Sequence, residues 1–297
     1  MSNTGISENP KLSIVLASQN ARGSVAECLR SIERQSGENI IEIIVVDNSI
    51  DGTREIIARD FPNIKVVSAA KDKLIPQLWG IGINESAGDV IALTTTHFVP
   101  AKNWIAEILK IHEAPYAGVG GAIENDERAG IVSWAVYFCR YSQFVPPFAE
   151  ENTDNFAADN ASYKRHSLEH VKHAMTDGFW EVFVHQAMIK EKMQLFLTPK
   201  IAVYHQHSFA FSGFMRQRFL HAIEFGRSRA ANISSAKRVM LILLSPLIPF
   251  VYLYRISRRV FGKKRNVGKY IISLPVLILF LVSWAAGELY GYLQKSE

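Results

Sequence analysis

The sequence predicts an α/β fold whose central sheet is mostly parallel and flanked by helices, followed by a hydrophobic helical hairpin. Four short β-branched runs, of the kind that fill buried parallel strands, occur in the first hundred residues: 12–17, 40–46, 64–68 and 90–93. Helical patterns separate these runs, and strands that alternate with helices predict a parallel, doubly wound sheet. Two long segments near the C-terminus carry no charged residue, and they predict the hairpin.

Residue spacing and end signals predict the helices between the strands. Residues 24–35 repeat apolar side chains at helical spacing after Ser24, which is a suitable N-cap. Residues 53–59 begin at Thr53, which can also cap a helix. Residues 77–86 precede an Ala-Gly pair, and glycine commonly ends a helix.

The middle of the chain carries weaker patterns. The aromatic segment 117–160, which contains a Pro-Pro pair, is predicted to be irregular. A strand is predicted at 201–204 and a helix at 209–231.

The net charge of +5 is concentrated in one place. The segment 255–269 holds seven basic residues and no acid, and the rest of the chain is nearly neutral. The charge therefore reflects one basic cluster and not a nucleic-acid-binding surface, so no nucleic-acid partner is expected. The two cysteines, Cys28 and Cys139, give neither a disulfide framework nor a metal-binding spacing.

The uncharged segments 239–254 and 270–287 predict membrane-associated helices. Their 16 and 18 residues give helices of about 24 and 27 Å at 1.5 Å per residue, against a bilayer core of about 30 Å. Buried helices of a soluble protein are the alternative. The membrane interpretation is favoured because the two segments flank the basic cluster, which suits anionic headgroups.

The sequence leaves two arrangements of these helices open. If both crossed the bilayer, the basic cluster would lie on the opposite side from the large domain, against the positive-inside tendency. The polar N-terminus lacks the apolar core of a signal peptide, so we expect the large domain on the cytoplasmic side. A re-entrant or interfacial pair, kinked at Pro246, Pro249 and Pro275, satisfies both expectations.

Polar residues follow the second and fourth predicted strands, where open α/β sheets bind ligands. Residues 47–53 carry short acids that can accept hydrogen bonds from a ribose or a base, although a capped turn uses the same residue types. The tetrad 94–97, Thr-Thr-Thr-His, should face the same site, and it contains no carboxylate.

Several motifs, in this order along the chain, resemble a family 2 glycosyltransferase of the GT-A fold. The first three are LSIVLASQN, IIVVDNSIDGT and GINESAGDVIALTTTHFVPAKNW. The later ones are NASYKR at 160–165, GFWE at 178–181 and PKIAVYH at 199–205. The resemblance covers about residues 10–230. It implies an inverting enzyme that transfers a sugar from a UDP- or GDP-sugar to a hydroxyl group.

The resemblance also assigns residues to this reaction. The nucleotide-sugar side comprises Ser18, Asn20, Asp47, Ser49, Asp51, Thr94, Thr96 and His97. The acceptor side comprises Asn160, Tyr163, Arg165 and Trp180. Glu181 is the expected catalytic base, since inversion requires a carboxylate that deprotonates the acceptor hydroxyl, and Asp177 is the second candidate. The alternative is that Glu181 pairs with a surface lysine.

The chain departs from the family at the metal site. The family usually carries Asp-x-Asp after the fourth strand, where it holds Mg²⁺ or Mn²⁺, and Thr94-Thr95-Thr96 occupies this place in a Thr-x-x-His variant. Threonine hydroxyls are weak ligands for hard cations. Three explanations stay open: His97 neutralises the diphosphate, a cation binds through His97 with His205 or His207, or the site is inactive.

The sequence therefore predicts three regions: a disordered N-terminus at 1–10, a GT-A domain at 11–235 and a membrane-associated hairpin at 236–297. The expected function is sugar transfer to a lipid-linked or surface-glycan acceptor at the membrane, with the catalytic domain on the cytoplasmic side. The alternative is a catalytically inactive GT-A domain that serves as a membrane-tethered binding or assembly subunit.

Overall fold

The computed structural model of the protein describes residues 10–36, 41–206, 210–231 and 233–294. The chain divides into two compact units, one formed by residues 1–124 and 144–207 and the other by residues 125–143 and 208–297. Residues 1–9 of the predicted disordered N-terminus lie outside the described residues. The predicted domain boundary at residue 235 stays a prediction.

The first unit begins with alternating strands and helices. They are β1 (Leu12–Ser18), α1 (Val25–Ser36), β2 (Ile41–Asp47), α2 (Thr53–Asp60), β3 (Lys65–Ser68), α3 (Ile75–Asn84) and β4 (Val90–Thr95). β1 pairs in parallel with both β2 and β4, and β3 pairs in parallel with β2. Every residue of β1 is buried, as expected of a central strand covered on both faces. The predicted parallel sheet is confirmed.

The remaining strands turn this sheet into a mixed one. In chain order the next elements are β5 (Phe98–Pro100), α4 (Trp104–Ile111), β6 (Gly118–Asn125), α5 (Ile131–Tyr141), β7 (Glu151–Asn152), β8 (Ala161–Lys164), α6 (Arg165–His170), α7 (Glu181–Lys190) and β9 (Leu195–His205). The strand order is β3-β2-β1-β4-β8-β6-β9-β5, and β7 pairs with β9. β8 is antiparallel to β4 and to β6. The predicted α/β fold class, a central sheet flanked by helices, is confirmed, and the parallel part of this mixed sheet is β3-β2-β1-β4.

The prediction of irregular structure across 117–160 is wrong, because this segment contains β6 and α5. β6 is rich in glycine, which weakens the strand signal. Two of its glycines are required by close packing. A Cβ atom would lie 2.3 Å from the ring of Phe156 at Gly120, and 2.2 Å from the carbonyl oxygen of Ile201 at Gly121.

β4 extends two residues beyond its predicted end. Leu16 of β1 pairs with Thr94, and Ala17 pairs with Thr95. The backbone amide of Thr96 also donates to the carbonyl of Ala17, at 3.2 Å. Thr94 and Thr95 therefore belong to β4, and Thr96 is the first residue after it. Their hydrogen bonds and pairing with β1 fix their position relative to that strand.

The second unit is helical in its described residues. Besides α5 it contains α8 (Phe211–Ala231), α9 (Ser235–Leu244), α10 (Ile248–Lys263) and α11 (Val267–Leu293). A 3-10 turn, Ser245–Leu247, joins α9 to α10 at Pro246. By length and composition, residues 235–263 and 267–293 could each cross a membrane, since each contains an 18-residue stretch with a mean hydropathy of 1.9 and 2.1, respectively. The two apolar C-terminal helices confirm the predicted hairpin.

α8 packs closely along the second half of α11. Small residues recur every four positions on α11, at Ser283, Gly287 and Gly291. A Cβ atom at Gly287 would lie 2.3 Å from the carbonyl oxygen of Phe219, so the backbones touch there. This spacing of small residues permits such close helix contact.

Candidate active site

The carboxyl ends of β1, β2 and β4 meet at one edge of the sheet. Ser18 pairs with Asp47, and Ala17 pairs with Thr95, so the three strands end together. The loops that follow them carry the other residues expected on the nucleotide-sugar side: Asn20, Ser49, Asp51, Thr96 and His97. The fold therefore brings this whole predicted set to one edge, where open α/β sheets bind ligands.

Asp47 is a fully buried carboxylate held on two sides. Its Oδ1 accepts a hydrogen bond of 2.6 Å from the Ser49 hydroxyl. Its Oδ2 accepts from the guanidinium of Arg54, at 3.2 Å. A buried carboxylate needs such partners, because burial without them is costly. Asp47 therefore has one fixed orientation at the end of β2.

The loops after β1 and β2 are bound to each other. The amide of Asn20 donates to the Ser49 hydroxyl at 2.8 Å, and the side-chain oxygen of Asn20 accepts from the amide of Ile50 at 3.1 Å. Asp51 accepts from the amide of Arg22, also at 3.1 Å. Burial opposes ionisation of Asp51, but hydrogen bonds from Thr53 and Arg22 outweigh it and lower the pKa. The two loops are therefore joined by hydrogen bonds between their side chains and backbone amides, as in a capped turn.

Three buried hydroxyl groups at this edge have no hydrogen-bond partner among the described residues. They belong to Ser18, Thr94 and Thr96. Ser18 and Thr94 point to the same face, because Thr94 pairs with Leu16 and side chains two apart share a face. Unpaired buried polar groups are uncommon, and each such hydroxyl can donate one hydrogen bond.

His97 links the loop after β4 to the loop after β1. Its Nε2 lies 3.1 Å from the carbonyl oxygen of Gln19, which can only accept, so Nε2 donates. Its Nδ1 lies 3.3 Å from the hydroxyl of Ser24, the predicted N-cap of α1. That hydroxyl can donate to the ring or accept from it. Both ring nitrogens therefore have partners within the protein.

The described residues near the threonines do not fit a divalent cation. Hard cations prefer carboxylate oxygens, and the tetrad offers neutral hydroxyls and an imidazole that is already hydrogen-bonded. No group of three or more His, Cys, Asp or Glu in the described parts of the chain could hold a metal ion. His205 is buried beside Phe98, with ring centroids 5.1 Å apart. His207 lies outside the described residues.

The segment 177–181, which contains the candidate bases Asp177 and Glu181, lies against the first turn of α3. The amide of Phe179 donates to the carbonyl of Pro76 at 2.7 Å. The side chain of Gln77 donates to Asp177 at 3.1 Å. Gly178 has a φ of +110°, and a Cβ atom on it would lie 2.8 Å from the Cα of Gln77. Asp177 is exposed, and Glu181 is the partly exposed first residue of α7.

α3 connects this segment to the threonines. The indole nitrogen of Trp79, in the same helix, donates to the carbonyl of Thr94 at 2.7 Å. Pro76 and Trp79 are three residues apart, so the contacts to Phe179 and Thr94 lie within one helical turn. The segment 177–181 and the end of β4 are therefore positioned by one rigid element.

The four residues expected on the acceptor side lie in different environments. Asn160 is buried, and its side chain bonds Trp104 and the carbonyls of Ala122 and Ile201. Arg165 follows β8, which runs opposite to β4, and its guanidinium donates to the carbonyl of Gly88 at 2.7 Å. Asn160 therefore links the strands, and Arg165 lies at the opposite edge from the threonines.

Tyr163 and Trp180 lie closer to Glu181. The hydroxyl of Tyr163 is hydrogen-bonded to Nε2 of His185 at 2.8 Å. Burial raises the pKa of Tyr163 well above its ordinary value, and the negative charge of Glu181 raises it further. Trp180 donates through its indole nitrogen to the carbonyl of Asp177, at 3.3 Å.

Sequence reasoning missed three residues that organise this region. Asn48 binds the carbonyls of Ala70 and Lys73, at 3.3 and 2.9 Å, and fixes the loop after β3. Gln77 caps α3 through the amide of Leu74 at 2.9 Å. His185 lies one turn after Glu181, and burial lowers its pKa to about 3. Only the position of Gln77 near a helix start carried a usable signal.

A match to a known protein family agrees with the geometry of this edge. The model of glycosyl transferase family 2 matches residues 13–172, which is more than half of the chain, and the chain belongs to this family. It is therefore a glycosyltransferase that uses a nucleotide-sugar donor. No curated protein matches the sequence.

Solved structures of glycosyltransferases share the fold at low sequence identity. The mannosyltransferase PcManGT from Pyrobaculum calidifontis, in complex with GDP-Man and Mn²⁺, has a TM-score of 0.56 at 14% identity, over 96% of this chain and 88% of its own. S. aureus TarS 1-349 has a TM-score of 0.50 at 16% identity, over 91% and 81%. GalNAc-T7 with UDP, GalNAc and Mn²⁺ has a TM-score of 0.52 at 14% identity, over 68% and 44%. The predicted GT-A fold is confirmed.

Proposed function

We propose that the protein is a membrane-associated, inverting glycosyltransferase that transfers a sugar from a UDP- or GDP-sugar to a lipid-linked or surface-glycan hydroxyl. One observation carries the donor half of this proposal. The carboxyl edge of β1, β2 and β4 gathers a buried, oriented carboxylate, Asp47, and the unpartnered hydroxyls of Ser18, Thr94 and Thr96. Nucleotides bind at such an edge, and hydroxyls can donate to phosphate oxygens.

Asp47 and the loops around it are the proposed nucleoside site. The carboxylate can accept from a base or ribose if Ser49 or Arg54 gives up one of its hydrogen bonds. Asn20, Ser49 and Asp51 shape the loops that would contact the nucleoside. Their mutual hydrogen bonds support a rigid site.

Glu181 is the proposed catalytic base. It would take the proton of the acceptor hydroxyl while that oxygen bonds to the anomeric carbon, and the nucleoside diphosphate would leave with the bonding electron pair. The anchoring of residues 177–179 on α3 supports this role, because α3 also contacts Thr94. Asp177 is less favoured, since it is exposed and bonded to Gln77.

The protein is proposed to carry a Thr-x-x-His variant of the family's metal-binding motif. Cationic side chains would then neutralise the leaving diphosphate. Lys71 and Lys73 lie in the loop that Asn48 ties to the end of β2, and neither forms an ion pair with a described residue. Positive charge near a developing anion stabilises the transition state. His97 would hold the loop of Thr96 in place, through Gln19 and Ser24.

Exposed apolar surface on the C-terminal helices supports membrane association. Most exposed large apolar side chains in the described parts of the chain belong to 235–293, including Leu243, Phe250 and Ile272. Apolar surface on this scale favours a membrane or protein partner. We propose the cytoplasmic side for the catalytic unit, because the basic segment 255–269 favours that side of a membrane.

An interfacial or re-entrant hairpin is favoured over two spanning helices. α8 carries Arg216, Arg218, Arg227 and Arg229 and packs along α11 between Ser283 and Gly291. Charged side chains are costly at the centre of a bilayer. The part of α11 before Phe280, which packs against Phe214 of α8, is residues 267–279. These 13 residues span about 20 Å, which is short for a bilayer core of about 30 Å.

The proposal is tested with the full-length protein in lipid vesicles. Calorimetry with UDP- and GDP-sugars first identifies the donor, and release of the nucleoside diphosphate is then followed with lipid-linked acceptors. The proposal expects binding and acceptor-dependent release, and loss of release but not of binding in Glu181→Gln. Binding without release for any acceptor would favour the membrane-tethered assembly subunit instead.

A further inference from the structure

Arg218 of α8 is a cation without an anionic partner among the residues that the structure describes. Its Nε is buried and forms no hydrogen bond, and its guanidinium makes no ion pair with any of these residues. Its Cζ lies 4.0 Å from the ring centroid of Trp284 and 5.9 Å from that of Phe214, so two aromatic rings hold it. A guanidinium has five N–H donors, and a buried donor without a partner costs free energy. Arg218 is therefore suited to bind an acceptor from outside the protein.

The side chains next to Arg218 lie on one face of α8. Four residues recur at i, i+4, i+7 and i+11, which is one side of a helix: Phe214, Arg218, His221 and Phe225. Trp284 of α11 contacts this face twice, because its ring centroid also lies 5.7 Å from that of Phe225. Aromatic contacts therefore fix the orientation of this face and of the guanidinium on it.

A second arginine adds positive charge near this face. Burial lowers the pKa of Arg218, and the charge of Arg140, in the last turn of α5, lowers it further. Burial and the charges of Arg218 and Arg140 also lower the pKa of His221 to about 3, so this imidazole is neutral at pH 7. Charges have such effects only on groups that are near them. The two arginines therefore lie near each other, and a bound anion would relieve their repulsion.

The helices around Arg218 supply no carboxylate to balance this charge. The sequences of α5, α8, α10 and α11 contain two carboxylates, Glu224 and Glu288. Glu224 pairs with Arg227 of the same helix. Glu288 pairs with Arg229, at 3.4 Å. Both carboxylates are therefore engaged by other arginines, and the anion that suits Arg218 comes from outside these helices.

The residue types around Arg218 are typical of the headgroup layer of a membrane. Besides Trp284, the phenols of Tyr141 and Tyr252 lie near enough to act on the pKa of Arg218. Tryptophan and tyrosine are enriched where the apolar core of a bilayer meets water. The interfacial hairpin proposed above would bring α8 to this level, where lipid phosphates are concentrated. Guanidinium groups match phosphate oxygens well, because they present parallel N–H donors.

We propose that Arg218 and Arg140 form a binding site for the phosphate group of a membrane lipid, with Trp284 holding the Arg218 guanidinium in place. The guanidinium groups donate hydrogen bonds to the phosphate oxygens. Two lipids carry this chemistry, a phospholipid of the bilayer and a lipid-linked sugar acceptor. The inference rests on the membrane association proposed above and not on sugar transfer.

The test counts the lipids that the full-length protein retains in detergent, by native mass spectrometry. One incubation offers equal amounts of phosphatidic acid and diacylglycerol with the same acyl chains, which differ only in the phosphate. A second offers a polyprenyl phosphate and the matching polyprenol. Arg216→Gln is the matched control, because Arg216 is an exposed arginine two residues before Arg218, on another side of the helix.

Wild-type protein and Arg216→Gln should prefer the phosphate-bearing lipid of at least one pair. Arg218→Gln should lower this preference about tenfold, because it removes a charged hydrogen-bond donor. Arg218→Lys should keep part of the preference, because it keeps the charge. A loss in Arg218→Lys equal to that in Arg218→Gln would assign Arg218 to packing on Trp284 instead.

Two further outcomes would overturn the site: equal retention of both lipids of each pair by the wild type, and an unchanged preference in Arg218→Gln. If Arg218→Gln does not fold, Arg140→Gln carries the same test, and an unchanged preference there refutes the two-arginine site. A preference in the phosphatidic acid pair alone assigns the site to a phospholipid. A preference in the polyprenyl pair alone assigns it to the acceptor, and a preference in both shows selection for the phosphate itself.

Vesicle flotation separates failure of this site from failure of the membrane proposal. If wild-type protein does not float with vesicles of phosphatidylcholine and phosphatidic acid, the membrane proposal is wrong and the lipid site fails with it. If the protein floats but prefers neither phosphate-bearing lipid in detergent, membrane association stands and only the phosphate site is refuted.

Discussion

Substitution of Gly178 by alanine should separate the catalytic segment from α3. Gly178 has a φ of +110°, where an L-residue is strained by roughly 1–2 kcal/mol. The new Cβ would lie 2.8 Å from the Cα of Gln77 and from the carbonyl oxygen of Pro76, whereas ordinary contact begins at 3.4 Å. The segment must therefore move by about 0.6 Å, and a misplacement of about 1 Å in an active site costs on the order of 10²-fold in rate.

We expect Gly178→Ala to lower kcat about tenfold or more and to lower the Tm by about 2–8 °C, with little change in nucleotide affinity. The rate is measured as nucleoside diphosphate release, and the affinity by calorimetry. Gly23→Ala is the control, because a Cβ at Gly23 has no neighbour within 4 Å. A lower Tm with an unchanged kcat would refute the role of residues 177–181 in catalysis.

Four further variants probe the site and the fold. Glu181→Gln should lower kcat by about 10²–10⁴-fold, because it removes the base. Asp47→Asn should weaken nucleotide binding about tenfold in calorimetry, since it removes a buried charge that Arg54 and Ser49 orient. Gly287→Leu should lower the Tm, because its side chain meets the backbone of α8. His185→Gln should flatten the loss of stability towards low pH, measured as Tm against pH.

The sign of the pH effect follows from the lowered pKa of His185. The unfolded chain binds a proton at this side chain below about pH 6.5, whereas the folded protein does so only near pH 3. Stability is therefore full above about pH 6.5 and falls as the pH decreases towards 3, by at most about 1.4 kcal/mol per pH unit. A slope that is the same in His185→Gln would contradict this reasoning.

Each remaining variant has its own contradicting outcome. Full activity in Glu181→Gln would exclude this residue as the base. Unchanged affinity in Asp47→Asn would move the nucleoside away from β2. A wild-type Tm in Gly287→Leu would mean that α8 and α11 do not touch at this glycine, and Gly213→Ala serves as the tolerated control, with its closest neighbour 3.9 Å away.

The first half of the fold was predicted well from the sequence, because the local residue patterns there agree with the burial of each element in the folded protein. The apolar runs of β1, β2 and β4 are long enough to identify buried strands, and α1 buries the spaced residues Val25, Cys28, Leu29 and Ile32. β6 was not predicted because its glycines give a weak strand signal. These glycines are required by close contact with Phe156 and Asn160, which are distant in sequence.

The residues of the candidate site were predicted from the sequence, but the hydrogen bonds between them were not. Strand ends alone bring Asp47, Thr94 and His97 to one edge. Which side chains bind each other depends on loop geometry that no local pattern encodes. The engagement of both His97 nitrogens, and the position of Arg165 at the far edge, therefore became visible only in the folded chain.

Calorimetry of UDP and GDP in the presence of EDTA or Mn²⁺ tests the central claim most directly. The claim is that the end of β4 serves a nucleotide-sugar site without a carboxylate-bound cation. It predicts that the preferred nucleotide binds with the same Kd, within about a factor of two, whether the metal is removed or supplied. Binding that is lost in EDTA and restored by Mn²⁺ would contradict it.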